Sequence, residues 1–346
     1  MPEFKLPTPD AAAYAAARAH QNQLTKPTGS LGMLEDVACR FASWQGQAVP
    51  QLPKAAITVF AADHGVTAEG VSAYPSAVTA EMVKNFAAGG AAICVLARQH
   101  DARLEVVDVG VASPLPVLPG VIISARVAPG TRNLAREAAM TQAQVDAALD
   151  AGRAAARRAV EAGAGVLVAG EMGIGNTTPS AALICHFCTL APAAVVGRGT
   201  GVDDQALALK TRIVEQALTR LPAGADARRV LAEVGGLEIA AMAGFYLEGA
   251  RLGVPSVVDG FIAAAAALAA CAMVPGLEHW LLASHRSQET GHQAALAHLG
   301  LAPMVDLGLR LGEGSGAALV LPLIASALQL HAGMATFASA GVSDKA

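Results

Sequence analysis

Seven times along the chain a short apolar run stops abruptly in a cluster of glycines and polar residues. The runs are "KAAITVFAADHG" (54–65), "LEVVDVG" (104–110), "AGVLVAGEMGIGNTTPS" (164–180), "AAVVGRGTGVDD" (193–204), "VPSVVDGF" (254–261), "EHWLLASHRS" (278–287) and "PMVDLGLRLGEGSG" (303–316). Most are apolar throughout rather than alternating, the pattern of strands buried on both faces. Between them, "DAALDAGRAAARRAVEA" (146–162) and "QALALKTRIVEQALTRL" (205–221) repeat apolar positions three and four apart, which predicts amphipathic helices. Strands separated by helices need crossover connections. The predicted fold is therefore α/β, a doubly wound, mostly parallel sheet. Residues 1–50 and 322–346 carry helical patterns alone, so the two chain ends are expected to form a small helical subdomain beside a large α/β domain, 51–321.

The polar clusters sit at the carboxyl ends of the predicted strands. Open α/β sheets bind ligands at that edge. Loops far apart in sequence can therefore line one crevice.

Composition narrows the function. The chain has 346 residues, 53% of them hydrophobic, enough for a large core built mostly from Ala, Leu, Val and Ile. A formal charge of −4, no basic blocks and 4% aromatics argue against nucleic acid as a partner. The greasiest run, "FIAAAAALAACAMV" (261–274), falls short of the roughly 18 residues of a membrane span. A second, "GAALVLPLIASALQL", is interrupted by Pro322 and Ser326, so no membrane span is expected. The N-terminus shows no basic stretch followed by an apolar one, hence no signal peptide, and the five scattered cysteines suit the reduced thiols of a cytoplasm. Cys185 and Cys188 form a single CxxC with apolar flanks. Structural zinc needs four ligands, so packing is the better reading of that pair.

Five stretches bear on chemistry. In "GEMGIGNTTPSAAL" (170–183), Gly173 and Gly175 let backbone amides approach an anion, while Thr178 as N-cap and Pro179 as first helical residue would open a helix toward it. An ordinary tight turn explains the same residues. "VGRGTGVDD" (196–204) is a second glycine-rich turn, with Lys210 in the following helix. Its Asp203 and Asp204 come after the glycines, which disfavours a magnesium–diphosphate site and leaves a monophosphate cradle open. In "AADHGV" (61–66) a turn cap by Asp63 and a structural hydrogen bond by His64 fit better than metal ligation. "SHRSQETGHQ" (284–293) holds Ser284 without a nucleophile elbow, so hydrolase chemistry is disfavoured. Finally, "RLGEGSGAALVLPL" (310–323) sets one carboxylate, Glu313, among glycines and against an apolar wall. Glu313 or Ser315 could simply cap the helix that follows. Burial against that wall would also raise the carboxyl pKa and suit Glu313 to act as a general base on a weakly acidic N–H.

The segments "KPTGSLGMLE", "AADHGV", "GEMGIGNTTPSAA", "EVGGLEIAAMAGF", "VVDGF", "SHRSQE" and "RLGEGSGAAL" run in order between residues 26 and 323. Together they resemble the nicotinate-nucleotide–dimethylbenzimidazole phosphoribosyltransferase family. The resemblance implies a cytoplasmic homodimer, with a Rossmann-like large domain and a small helical domain from both chain ends, that makes α-ribazole 5′-phosphate for the lower loop of cobalamin, with no metal and no cofactor. Its substrates would be nicotinate mononucleotide and a benzimidazole-type base. It casts Glu313 as general base and Glu171 as the second acid, orienting the ribose or supporting charge at C1′. Lys210, Gly173, Gly175, Asn176, Thr177, Thr178, Gly197, Gly199 and Gly201 would cradle the phosphoribosyl group, with Ser284 a further substrate contact. Tyr74 and Met82 fall where some relatives carry smaller or more polar residues near the base pocket, and they would either set base preference or simply pack.

Two other readings remain at this point. A non-catalytic nucleotide sensor on the same fold would keep the glycine-rich loops but would not need Glu313. A metal-dependent hydrolase would bring Asp63, His64 and His285 together.

Overall fold

In the computed structural model, which describes residues 5–116, 118, 120–199 and 201–343, seven strands share one sheet. They are β1 (Lys54–Ala62), β2 (Arg103–Gly110), β3 (Ile122–Ser124), β4 (Ala164–Met172), β5 (Ser256–Val258), β6 (Leu281–His285) and β7 (Pro303–Val305). The order across the sheet is β3-β2-β1-β4-β5-β6-β7, and every pairing is parallel. The order reverses between β1 and β4, the topological switch point of a doubly wound sheet.

Six of the seven apolar runs form strands, and the seventh is a correction. The run at 193–204 opens with a short 3-10 turn, Pro192–Ala194, and adds no strand. Pro192 brings no amide to a ladder, and Arg198 closes the loop on itself by donating to the carbonyl of Val202. In its place β3 pairs with β2, a strand of three residues too short to show a pattern. β1 and β4 are buried along nearly their whole length, as their unbroken apolar runs require.

Helices cover both faces. Gln142–Glu161 opens with a capping box, Thr141 with Gln144, and crosses Leu237–Arg251 at very short range. A Cβ on Gly152 would lie 1.7 Å from the Ala241 carbonyl oxygen, and one on Gly244 would lie 2.0 Å from that of Leu149. Only two bare backbones pack this closely. The helix Phe261–Met273 is buried along most of its length in the core.

The chain ends meet. Helices Ala11–Gln21 and Met33–Gln45 pack on each other, and the second packs on Ser315–Gly333. Gln21 Nε2 lies 2.8 Å from His331 Nδ1, and Leu24 forms an isolated antiparallel bridge with Thr336. The "KPTGSLG" turn between the first two helices is closed by a buried ion pair, Lys26 Nζ to Glu35 Oε1 at 2.6 Å. Ser315–Gly333 is long and apolar enough to cross a membrane by length and composition, as is the segment Ala77–Gln99, which divides into helices Ala77–Ala87 and Ala92–Gln99. Half of the first and 39% of the second are buried inside this fold, so both serve the protein's own packing.

Candidate active site

A cavity of about 500 Å³ opens at the carboxyl edge of the sheet, beside the switch point. The segments following β1, β4, β5, β6 and β7 all contribute to its wall. Its lining combines apolar Val71, Val78, Met82, Ile174 and Phe261 with the acids Glu171, Asp259 and Glu313.

Glu171 is the penultimate residue of β4. Asn176 Nδ2 donates a short hydrogen bond to its Oε2, and the amide of Glu313 also donates to it. Burial pushes its carboxyl up to about 8, with repulsion from Glu238 and Asp259 adding to the effect. Asp259, just after β5, is raised to about 7 by burial even though three backbone amides favour its ionised form. Glu313 is raised by burial too, against the opposing hydrogen bond from the Ile93 amide to Oε2 at 3.1 Å. Three buried acids thus share one cavity, all raised by burial, Glu171 and Asp259 to about 8 and 7. Such a grouping favours positive charge on a bound ligand.

Glu313 has a backbone φ of 64°, in the left-handed region. This costs a non-glycine residue about 1–3 kcal/mol, and it persists only where the surroundings impose it. The surroundings here are glycines. A Cβ on Gly170 would sit 2.1 Å from the Glu313 carbonyl oxygen, and one on Gly312 would sit 2.2 Å from Glu171 Oε1. The loop can lie flat on the end of β4 because both positions lack a side chain.

The Ser315–Gly333 helix corrects the expected capping. Gly314 occupies the N-cap, and Ser315 turns its hydroxyl back to the Gly312 carbonyl. The acceptor comes from another strand: Asp259 takes the amides of Gly314 and Ala317 at 3.2 and 2.9 Å. Glu313 in turn serves the start of a different helix, Ala92–Gln99, through Ile93. Thr178 is corrected as well. Its helix runs Thr177–Cys188 with Asn176 at the cap, and the Thr178 hydroxyl is buried without a partner.

The cationic group near the cradle is Lys210. It is fully buried, and its Nζ donates to Thr177 Oγ1 at 2.7 Å and to the Gly197 carbonyl at 3.1 Å. Burial lowers it to about 8, with Glu289 opposing. Arg310 reaches the same loop, its Nη1 donating to the Gly199 carbonyl oxygen at 3.4 Å.

Of the residues singled out in the sequence, Glu313, Glu171, Gly173, Gly175, Asn176, Thr177, Gly199, Tyr74 and Met82 line this cavity. Gly197 and Lys210 stand directly behind Thr177 and Gly199. Thr178, Gly201 and Ser284 are not in its wall. Ser284 is buried one step back, donating to the Asp259 carbonyl and lying 2.9 Å from His285 Nδ1. The sequence reading missed Asp259, Ser287, Glu289 and Arg310 and gave His285 only to the hydrolase alternative, yet all five line the cavity. Their signal was present: each is polar and follows the end of a short apolar run.

The hydrolase grouping does not assemble. Asp63 accepts the Ala112 amide, His64 Nε2 pairs with Glu238 Oε1 at 2.7 Å, and His285 belongs with Ser284 and Asp259. Among the described residues no group of three or more His, Cys, Asp or Glu side chains is placed to hold a metal ion. Cys185 and Cys188 lie in the Thr177–Cys188 helix as free thiols, both raised by burial.

A family model described as a phosphoribosyltransferase matches residues 6–342. The nicotinate-nucleotide–dimethylbenzimidazole phosphoribosyltransferase of Chromobacterium violaceum is 67% identical over 340 residues, which cover 97% of each chain. Its counterpart in Thermus thermophilus is 53% identical over 96% of this chain and 99% of that one. The chain belongs to the nicotinate-nucleotide–dimethylbenzimidazole phosphoribosyltransferase family. A crystal structure of CobT from Thermus thermophilus superposes with a TM-score of 0.94, at 52% identity over 96% of this chain and all of that one. Phosphoribosyltransferase activity and a role in cobalamin synthesis follow from membership of this family at such identity.

Proposed function

We propose that the cavity transfers the phosphoribosyl group of nicotinate mononucleotide to 5,6-dimethylbenzimidazole or a related base. The products are α-ribazole 5′-phosphate and nicotinate. The observation that supports it best is Glu313: a buried carboxylate of raised pKa between an apolar wall and a glycine-rich, lysine-backed cradle. Glu313 takes the N–H proton of the flat base. The other ring nitrogen attacks C1′, and the glycosidic bond breaks with its electron pair going to the pyridinium nitrogen. Attack from the opposite face inverts C1′. The leaving ring begins as a pyridinium cation and ends as a neutral pyridine, so no metal–diphosphate machinery is required. Glu171 faces the positive charge that develops at C1′. Gly173, Gly175, Asn176, Thr177 and Gly199, backed by Gly197 and Lys210, hold the ribose phosphate. Gly201 and Thr178 support that cradle from outside the wall, and Ser284 anchors Asp259 from behind.

We further read residues 1–50 with 322–346 as a small helical domain, its boundary at Pro322 inside the Ser315–Gly333 helix, and 51–321 as the large domain. The five free thiols support a cytoplasmic location, and the family resemblance supports a homodimer. Incubation with nicotinate mononucleotide and dimethylbenzimidazole, followed by mass analysis, should yield equimolar α-ribazole phosphate and nicotinate. Release of nicotinate with no base adduct would refute the transfer.

Two further outcomes are expected. Lys210, at about 8 in the free enzyme, loses its charge as pH rises through that value, so kcat/KM for the mononucleotide should fall on the alkaline side. Lys210→Arg should move that limb to higher pH, since a guanidinium stays charged. A limb that stays near pH 8 in the arginine variant would remove Lys210 from donor binding.

Tyr74, 55% exposed at the cavity rim, and Met82 within the wall are expected to govern which base is accepted. Aromatic and thioether contacts favour a flat apolar ring. With two bases in competition, Tyr74→Ser combined with Met82→Gln should change the product ratio by roughly 10- to 200-fold at most. An unchanged ratio would leave both as packing residues.

A further inference from the structure

We propose that Asp259 is a positioning residue for Glu313, holding the main chain beside it so that the carboxylate stands at the reacting nitrogen. The inference rests on the reading of Glu313 as general base. It starts from how that residue is held. On one side the Glu313 amide donates to Glu171 at the end of β4. At the tip, its carboxylate takes the Ile93 amide. On the other side, the amides of Gly314 and Ala317 converge on the two oxygens of Asp259, and the Gly316 amide adds a third bond.

Remove Asp259, and nothing local replaces it. Gly314 at the N-cap has no side chain, and the Ser315 hydroxyl is committed to Gly312. The amides of a buried helix end would then lack acceptors. The contact is also a packing contact: a Cβ on Gly316 would fall 2.9 Å from Asp259 Oδ1 and 2.0 Å from His285 Nδ1. Asp259 is itself anchored, because its carbonyl accepts the Ser284 hydroxyl and the residue follows directly on β5, paired on both sides. The sheet thus reaches Glu313 through one carboxylate. That path matters because Glu313 holds a left-handed conformation that its neighbours must impose.

Asp259→Asn keeps the size but replaces one acceptor oxygen by a donor, so one helix amide loses its partner. The variant should fold, with a circular dichroism spectrum like the parent's. Its kcat should fall by about 10²-fold, the usual scale for a small displacement of a catalytic group. The KM for nicotinate mononucleotide should stay within about threefold, because the cradle is untouched. Combined with Glu313→Gln, it should cost no more than Glu313→Gln alone, since residues that act through one another are not additive.

Two results would overturn the proposal. A donor KM that rises in step with the loss of kcat would make Asp259 a substrate contact, since it also lines the cavity. A double variant slower by the product of the single losses would make it act independently of Glu313. If Glu313→Gln alone turns over normally, the general-base reading fails, and with it this inference; that result is visible before Asp259 is touched. Should the asparagine variant not fold, Asp259→Ser retains one acceptor and the same comparisons apply.

Discussion

Replacing Glu313 by glutamine should leave a folded protein that has lost most of its turnover. A general base contributes about 10²- to 10⁴-fold, and the amide of glutamine cannot take the proton. The change is nearly isosteric, and the oxygen that accepts the Ile93 amide can be kept. The parent enzyme's pH profile should carry the same signature. Burial raises the Glu313 carboxyl, so the active carboxylate form is lost on the acid side at a pH above that of an ordinary glutamate. Single-turnover rates across pH would measure both. Near-normal kcat in a folded Glu313→Gln variant would discard the proposed chemistry.

The largest effect on stability is expected at the crossing of Gln142–Glu161 with Leu237–Arg251. Alanine is ordinarily the better helix residue by about 1 kcal/mol. Gly152→Ala should nevertheless destabilise, because its new Cβ would fall 1.7 Å from a backbone carbonyl oxygen that cannot rotate away. Overpacking of this kind costs about 1–3 kcal/mol and occasionally more, and a main-chain obstacle puts Gly152 at the upper end. Denaturant midpoints would show it. A midpoint equal to or above that of the parent would mean the two helices separate at little cost. The same substitution at Gly201, where a Cβ meets nothing within 4 Å, tests conformation without packing.

Much of this was legible because buried parallel strands are written locally, as unbroken apolar runs with polar ends. β1, β2, β4, β5, β6 and β7 each came from such a run, and Glu313 stood out as an acid in a glycine-rich turn, whereas Glu171 entered only through the family resemblance. What stayed hidden depends on partners remote in sequence. Gly152 reads as a weak spot in an amphipathic helix until Ala241 is seen against it. Thr178 looked like a cap because its neighbourhood is cap-like, whereas the Ser315–Gly333 helix borrows its acceptor from Asp259, more than fifty residues earlier. The run at 193–204 shows the reverse error. Its sequence is strand-like for a few residues, but Pro192 and the glycines favour a turn.

The meeting of the chain ends sets a timetable for synthesis. His20 and Gln21 find their partner in His331, some 310 residues later. At the usual 5–20 residues per second, the first two helices wait about 15–60 s for the helix that covers them. During that interval Val37, Phe41 and Trp44 of Met33–Gln45 lack part of their final cover. Glu313 belongs to the same late segment, following every other strand end of the cavity. A ribosome stalled before residue 313 would therefore hold a chain with its glycine-rich loops already made, the proposed base still missing, and an apolar helix open to chaperones or to its own kind.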